Sequence, residues 1–531
     1  MAVRDTIQRS VKKSIQELEN KGDVPPASFN VRVERPQRRD FGDYSVSTAM
    51  QIASFSGRKP KTVAKILREE LLKDEKLAKA IKDIRVAPPG FINFYLSEDY
   101  LLKELNKVFK DKQYGSSNAK KKSVNIEFGS VNPTGELHVG HARTFFYGDV
   151  MASVMEFAGF KVIREYYVNN ARQSSQIKEL GKTVLGKGSS YKGPYLSKKM
   201  KQYAKSLKRF KDYGAAGHFI ANKIQEDIKS ILDNKAEVKF DVWYEEEDLY
   251  KKKEVDKIVK DLEKKGVVYK NEGALWLKTS KYGDKQDQVL VRSSGEPTYF
   301  LPDLAYHRNK AKRGYKKIID IWGADHHGHV GRMKAALKIL GIKNVTMLIA
   351  QVVLLKGGGK LSKRKGTIVT VEDLINTVGL DAVRFFYLTK SLDSQMEFDI
   401  KFAQKQSQKN PVYYIQYTHA RICGILRKIN ITEEIQKSDL GALKEAGEFD
   451  LVRKISAFPD VAKDTAEDYQ VHRLSGYVTE LAQEFNQFYR DFKVLTEDEN
   501  DKKARYALAV ATGIVMRQCL ALLGIKAPEK M

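Results

Sequence analysis

Hydrophobic residues at the start of the chain recur with the period of a helix. Val3, Ile7, Val11 and Ile15 lie four positions apart among charged residues, which predicts an amphipathic helix. Further patterns predict a strand over residues 29–35, helices after Asp43 and over 61–72, and a strand over 90–96. Residues 1–115 are therefore predicted to form a small N-terminal α/β domain.

The middle of the chain alternates apolar strands with amphipathic helices. A small, basic linker at 115–122 precedes the first strand, and the apolar runs are found at 124–128, 163–168, 316–323 and 345–355. This alternation predicts a parallel, doubly wound sheet over residues 116–402. Residues of about 186–285 are helical in pattern and heavily charged, which predicts an insertion. Residues 403–531 predict a C-terminal α-helical bundle.

Composition narrows the class of protein. The 531 residues contain 94 Lys and Arg against 67 Asp and Glu, and this net charge of +27 favours a polyanionic partner, although a generally lysine-rich composition would give the same number. No apolar run is long enough to span a bilayer and the N-terminus lacks a secretory apolar core, so we expect a cytoplasmic protein with no membrane partner. The two cysteines, Cys423 and Cys519, support neither a disulfide framework nor a thiolate metal site.

A strand–turn–helix unit contains the first candidate site. The strand of 124–128 leads through a turn with glycine and proline into His138, Gly140 and His141 at the start of a long helix. A helix N-terminus binds anions, and histidines three positions apart can both reach one phosphate. Gly140 would leave room for a flat base close to the backbone. Taken alone, the histidines could equally be zinc ligands or ordinary polar residues.

A second candidate site lies far downstream. Residues 356–366 read KGGGKLSKRKG, a glycine-rich basic loop that follows an apolar strand. Such a loop can bring the ammonium groups of Lys360 and Lys363 onto a triphosphate, although a solvated basic loop would have the same composition.

Together the two segments resemble the HIGH and KMSKS motifs of class I aminoacyl-tRNA synthetases, in the order that this family has them within a Rossmann-type domain. The resemblance implies that ATP binds with Mg²⁺. It assigns His138 and His141 to the α-phosphate, Gly140 to adenine, and Lys360, Ser362 and Lys363 to ATP and the pyrophosphate that leaves. Leu361 stands where the family has Met, a change that is small in volume.

Other segments resemble arginyl-tRNA synthetases of the bacterial type, among them NIEFGSVNPTGELHVGH, DQVLVRSSGEPTYFLPDLAYH and DIWGADHHGH. Similar segments cover nearly the whole chain except the insertion. The family's arginine pocket corresponds to Glu127, Asn132, Tyr299, Asp303 and His326, each of which could singly be an ordinary surface or core residue. The resemblance implies an arginine–tRNA ligase that forms arginyl-adenylate and transfers arginine to the 2′-hydroxyl of the terminal adenosine of tRNA(Arg). We expect a monomer.

Three alternatives stay open at this point. The histidines at 326–329 could form a metal site, as in a zinc hydrolase, but no carboxylate cluster accompanies them and we predict no metal site. Asn170 and Arg172 replace the Asp and Gly that are usual in the family, which would suit a tRNA-binding paralogue without activity. A class I synthetase for another amino acid is the third alternative.

The predicted C-terminal bundle contains a candidate RNA-binding face. Tyr413, Tyr417 and Arg421 lie four positions apart beside His419, so they share one side of a helix. They could stack on exposed tRNA bases or pack against the catalytic domain. The family resemblance makes this bundle the anticodon-binding domain and makes residues 1–115 a second tRNA-contacting domain.

Overall fold

The structure is a computed structural model that describes residues 3–36, 38–117, 122–356, 369–429 and 437–531. Its N-terminal region contains α1 (Val3–Asn20), β1 (Val33–Glu34), β2 (Tyr44–Val46), α2 (Thr48–Ser56), α3 (Pro60–Leu71), α4 (Glu75–Ala78), β3 (Ile81–Ala87), β4 (Phe91–Leu96) and α5 (Glu98–Lys110). The four strands form an antiparallel sheet in the order β1-β2-β4-β3. The predicted amphipathic helix is confirmed, since the apolar residues of α1 are buried.

The N-terminal sheet has more strands than the sequence predicts. Helix α3 and strand β4 match their predicted ranges, but only two residues of the predicted strand 29–35 pair in the sheet as β1. Strands β2 and β3 were not predicted. Strand β3 contains Lys82, Asp83 and Arg85 on its partly exposed side, and its mixed pattern therefore does not show the alternation of a half-buried strand.

The central region is built on a five-stranded sheet. Its elements up to the insertion are β5 (Ser123–Glu127), α6 (Val139–Phe157), β6 (Lys161–Val168) and α7 (Ser175–Val184). After the insertion come β10 (Gln288–Val291), α13 (Phe300–Lys312), β11 (Lys317–Gly323), α14 (His329–Leu340), β12 (Val345–Ala350), β13 (Val353–Leu355), α15 (Val371–Val378), α16 (Leu380–Tyr387), β14 (Met396–Phe398) and α17 (Ile400–Ala403).

The order of the large sheet confirms a doubly wound fold. The strands lie in the order β12-β11-β5-β6-β7, and every neighbouring pair is parallel. Starting from β5, the chain therefore adds strands first on one side and then on the other, as in Rossmann-type sheets. The apolar run 345–355 forms two strands instead of one, because the chain leaves the sheet at Gln351, whose N–H donates to the carbonyl of Leu392 at 2.9 Å.

The insertion is less helical than its charge pattern suggests. It contains α8 (Pro194–Gln202), α9 (Ala204–Leu207), α10 (Tyr213–Asn234), β7 (Val242–Glu245), α11 (Glu246–Lys251), α12 (Glu254–Lys264), β8 (Val268–Asn271) and β9 (Ala274–Leu277). Strand β7 is the edge of the large sheet, and β8 and β9 join β10 in an antiparallel sheet. These strands have only four residues each and lie between lysine-rich helices, so periodicity alone does not reveal them.

The C-terminal region is the predicted helical bundle. Its helices are α18 (Pro411–Ile429), α19 (Ala446–Ser456), α20 (Phe458–Asp468), α21 (His472–Asp491) and α22 (Glu499–Leu522). Cys423 and Cys519 are buried free thiols in this bundle. In the described parts of the chain, no helix combines the length and the apolar character needed to cross a membrane.

Two glycines allow α7 and α10 to pack backbone against backbone. A Cβ on Gly181 would lie 1.8 Å from the carbonyl oxygen of Tyr213, and one on Gly217 would lie 1.9 Å from that of Ile177. We expect Gly181→Ala to lower the midpoint of thermal unfolding, because overpacking against fixed backbone costs about 1–3 kcal/mol or more. Gly476→Ala is the matched control, since Gly476 lies on α21 with open space around its Cβ position. An equal midpoint for both variants would contradict the prediction.

Candidate active site

A cavity of about 530 Å³ opens at the carboxyl ends of β5 and β11. The strand order of the sheet reverses between these two strands. Doubly wound sheets bind their ligands in the crevice at such a switch point. The cavity walls come from the turn after β5, the start of α6, helix α13, the segment after β11 and residues 350–353.

The two histidines of the first motif meet at the N-terminus of α6. His138 is the N-cap residue, and its Nδ1 accepts from the Gly140 N–H at 3.1 Å. The Nδ1 of His141 accepts from the His138 N–H at 3.2 Å, and the two rings stack with centroids 3.5 Å apart. Because each Nδ1 is an acceptor, a neutral ring has its proton on Nε2. Both histidines line the cavity, where such Nε2–H groups suit phosphate oxygens.

Gly140 also lines the cavity, but part of its open side is occupied. A Cβ at this position would lie 3.0 Å from both Cε1 and Nδ1 of His138. The glycine therefore allows the close approach of the His138 ring, and a side chain here would press against that ring. Lys360, Ser362 and Lys363 of the second motif lie outside the described residues, so their contacts stay predictions.

The structure brings together four of the five residues predicted to bind arginine. Glu127, Asn132, Asp303 and His326 line the same cavity as the histidine pair. Tyr299 is 54% exposed and lies beside the cavity, where its hydroxyl is 2.6 Å from Nε2 of His329. His329 does line the cavity, so Tyr299 adjoins the site through this histidine.

Glu127 has a partner that the sequence did not reveal. It ends strand β5, is 5% exposed, and pairs with the ammonium of Lys310. Its Oε1 accepts from the Ser130 hydroxyl at 3.1 Å. Burial raises the pKa of Glu127, and the Lys310 charge opposes that rise. The Glu127 carboxylate thus contacts the buried Lys310 ammonium and also lines the cavity.

Asp303 and Glu246 are two carboxyl groups without an ion pair anywhere in the described ranges. Burial raises the pKa of Asp303 to about 7 and the pKa of Glu246 to about 8, and the Asp303 charge adds to the rise at Glu246. The buried hydroxyl of Tyr167 also has no hydrogen-bond partner within the described chain. Buried carboxyl groups without an ion pair and a hydroxyl without a hydrogen-bond partner suit a polar cation as ligand.

Sequence analysis missed Glu246 because it lies in an acidic run. Residues 245–248 read EEED at the start of α11, a pattern typical of a solvated helix N-terminus. Glu246 is nevertheless only 7% exposed, since α11 follows directly on strand β7 of the large sheet. Tyr167 lies in the apolar run 163–168 that predicted a strand, but its side chain had no assigned role.

Asn170 and Arg172, which depart from the family pattern, form hydrogen bonds to neighbouring elements. Asn170 is fully buried, donates to Asn222 Oδ1 at 2.8 Å, and accepts from the Glu247 N–H at 3.3 Å. The Arg172 N–H donates to Glu247 at 3.0 Å, and the guanidinium lies 3.4 Å from the same carboxylate. Asn170 thus connects the end of β6 to helices α10 and α11, Arg172 connects it to α11, and neither residue lines the cavity.

Among the described residues, no group of three or more His, Cys, Asp or Glu side chains is arranged to hold a metal ion.

Three of the four residues of the candidate RNA-binding face lie together. The Tyr413 and Tyr417 rings stack with centroids 6.1 Å apart, and the Arg421 guanidinium lies 4.9 Å from the Tyr417 centroid. His419 does not belong to this face. It is fully buried, and its Nδ1 donates to the carbonyl of Pro528 at 2.9 Å.

Comparisons with known proteins agree over the whole chain. Family models described as "Arginyl tRNA synthetase N terminal domain", "tRNA synthetases class I (R), catalytic domain" and "DALR anticodon binding domain" match residues 5–96, 104–388 in two overlapping parts, and 415–531. The Thermus thermophilus arginyl-tRNA synthetase structure superimposes with a TM-score of 0.80 at 21% identity, covering 99% of this chain and 100% of that one.

Curated relatives named "Arginine--tRNA ligase" have higher identity. The relative from Caldanaerobacter subterraneus is 37% identical, with 99% of each chain covered. The one from Bacillus subtilis strain 168 is 38% identical, with 100% of this chain and 99% of the relative covered. With a catalytic-domain match over more than half its length and full-length relatives at this identity, the chain belongs to the arginyl-tRNA synthetase family.

Proposed function

We propose that this protein is an arginine–tRNA ligase that forms arginyl-adenylate and pyrophosphate from L-arginine and ATP and then charges tRNA(Arg). The observation that supports it best is one cavity that is lined both by a histidine pair at a helix N-terminus and by two carboxyl groups whose pKa is raised by burial, Glu127 and Asp303. The first suits a phosphate and the second a guanidinium. Family membership gives the order of the two reactions.

In the activation step, the arginine carboxylate attacks the α-phosphorus and pyrophosphate leaves. His138 and His141 donate Nε2–H bonds to the α-phosphate as negative charge develops, and the N-terminus of α6 adds its dipole. ATP enters as its Mg²⁺ complex, in which phosphate oxygens and water supply most of the ligands. By family resemblance Lys360, Ser362 and Lys363 contact ATP and the leaving pyrophosphate. The chemistry therefore depends on positioning and on charge stabilisation.

For the arginine substrate, Asp303 faces the guanidinium and Glu246 lies close to Asp303, while Glu127 and Asn132 are closer to the histidine pair in sequence and suit the α-amino group. His326 lies at the rim, on a short 3-10 helix after β11. In the second step the arginyl group moves to the 2′-hydroxyl of the terminal adenosine. The N-terminal region and the bundle contact the tRNA, and the protein acts as a cytoplasmic monomer.

The proposal predicts that purified protein charges tRNA with arginine and with no other standard amino acid. A parallel reaction series, each with tRNA, ATP and one labelled amino acid, measures this directly. Arginine-dependent pyrophosphate exchange in the presence of tRNA separates activation from transfer. If another amino acid is charged in preference to arginine, the assignment of arginine as the substrate is wrong. If neither charging nor exchange is observed, the result favours an inactive tRNA-binding paralogue.

A further inference from the structure

Lys310 is a fully buried cation beneath the arginine side of the cavity. It lies near the end of α13, and its side chain has 0% exposure. Its ammonium donates to Glu127 of β5 and to Asp320 of β11, the latter at 2.6 Å. Lys310 therefore joins the two strands between which the sheet order reverses, directly below the point where the cavity opens.

The pairing continues from Asp320 to the other wall of the cavity. The second oxygen of Asp320 lies 3.0 Å from Nε2 of His307, whose Nδ1 donates to the carbonyl of Asp303 at 2.8 Å. Burial alone would lower the pKa of His307, but the Asp320 carboxylate raises it, and an imidazolium can donate at both nitrogens. A single chain of contacts thus begins at Glu127, passes through Lys310, Asp320 and His307, and ends at the backbone carbonyl of Asp303.

The charged groups of this chain are close partners of one another. Glu127 and Asp320 both contact the Lys310 ammonium, and Asp320 also bonds to the His307 ring. The other titratable groups facing Lys310 are Glu165 of β6 and Tyr306 of α13. Arg313 pairs with Glu165 through two hydrogen bonds of 2.7 and 2.8 Å, so this second pair is balanced by itself.

We propose that Lys310 is a positioning residue for the arginine substrate: its ammonium fixes the Glu127 carboxylate at the cavity wall and keeps it ionised to receive a cationic group of the amino acid. This inference rests on the proposed arginine–tRNA ligase activity. A buried ion pair is a poor source of stability compared with apolar packing, which is a reason to look for a role in the site. Without Lys310, Glu127 would be a buried carboxylate beside Asp320 and would take up a proton.

The sign of the pH effect follows from this loss. In the parent protein the Lys310 charge lowers the pKa of Glu127 and of Asp303. Lys310→Met removes that charge, so both pKa values rise and the pocket needs a higher pH to hold a cation. The acidic limb of kcat/KM for arginine therefore moves to higher pH. Residual activity with an unmoved limb is what a merely structural role would give.

The experiment is tRNA charging by the full-length protein, measured against arginine concentration between pH 5.5 and 9. For Lys310→Met we expect a limb at least about one pH unit higher and a KM for arginine at pH 7 raised about tenfold or more, with the KM for ATP within about twofold. Lys310→Arg, which keeps the cation, should restore the limb. Lys312→Met, an exposed lysine on the same helix, should match the parent protein.

A double-mutant cycle keeps the test decisive if Lys310→Met folds poorly. If Lys310 acts through Glu127, Lys310→Met combined with Glu127→Gln should have the arginine KM of Glu127→Gln alone within about twofold at pH 9, well above the pKa of about 7 of Asp303. If the two substitutions together raise the arginine KM by the product of their separate effects, the proposal is wrong. It is also wrong if a folded Lys310→Met protein has the same acidic limb of kcat/KM as the parent protein. Failure of the parent protein to charge arginine would instead refute the proposed function.

Discussion

Replacement of His138 or His141 by alanine is expected to slow arginyl-adenylate formation by about 10²–10³-fold, the usual effect of removing one preorganised donor from a developing oxyanion. Both side chains line the cavity, and both have Nδ1 bonded to backbone N–H groups of the helix N-terminus. Their remaining Nε2–H groups act on the transition state more than on bound ATP. Single-turnover adenylate formation is the measurement, with tRNA affinity expected to stay near the parent value.

The same substitutions also remove a helix cap, and that second effect has to be separated. Loss of the side-chain acceptor at His138 costs about 1 kcal/mol of stability by itself. His138→Asn provides the control, because asparagine is a strong N-cap residue and should restore the unfolding midpoint without restoring the rate. If the rate returns together with the midpoint, capping alone explains the histidine and the phosphate role is wrong.

The parts of the fold that the sequence predicts well are those whose pattern is long and regular. Helix α6 and strands β6 and β11 agree with their predicted ranges because each is apolar over many positions. Strand β7 was not predicted because it has only three half-buried residues and one exposed residue, and it lies between charged helices. It becomes a strand only when it pairs with β6, a tertiary contact that local periodicity does not encode.

The site shows the same division between local and tertiary information. The spacing of His138 and His141 predicts their contact, because residues three positions apart on a helix are neighbours whatever surrounds the helix. The pairing of Glu127 with Lys310 joins residues 183 positions apart, and the acidic run that contains Glu246 gives no local sign that one member is buried. Such pairings depend on the order of strands in the sheet.

The insertion connects these observations, because it contributes to the site through strand β7. This strand directs the chain into α11, so that Glu246 faces Asp303 and Tyr167 instead of solvent. Asn170 supports the same region by accepting the Glu247 N–H. A segment predicted to be a helical addition thus places a carboxyl group next to Asp303, which lines the cavity.

The largest effect is expected for Asp303. A guanidinium can bond to a carboxylate through two parallel charge-assisted hydrogen bonds of about 1.5–3 kcal/mol each. Asp303→Ala should therefore lower kcat/KM for arginine by roughly 10²–10⁴-fold and reduce discrimination against citrulline, with the KM for ATP nearly unchanged. Charging assays with arginine, lysine and citrulline measure it. Tyr299→Phe should have a smaller effect, because its hydroxyl bonds to His329 beside the cavity.

Proton release gives an independent measure of the same contact. With a pKa of about 7 for Asp303 and about 8 for Glu246 beside it, the protein without arginine carries protons on these groups at neutral pH. A bound guanidinium lowers both pKa values, so arginine binding should release protons at pH 7 and should strengthen as pH rises from about 6 to 8. Titration calorimetry in buffers of different ionisation enthalpy counts these protons. Asp303→Asn should release fewer, whereas Asp256→Asn, an exposed carboxylate on α12, should release the parent number. An unchanged proton count and arginine affinity in Asp303→Asn would place the guanidinium elsewhere.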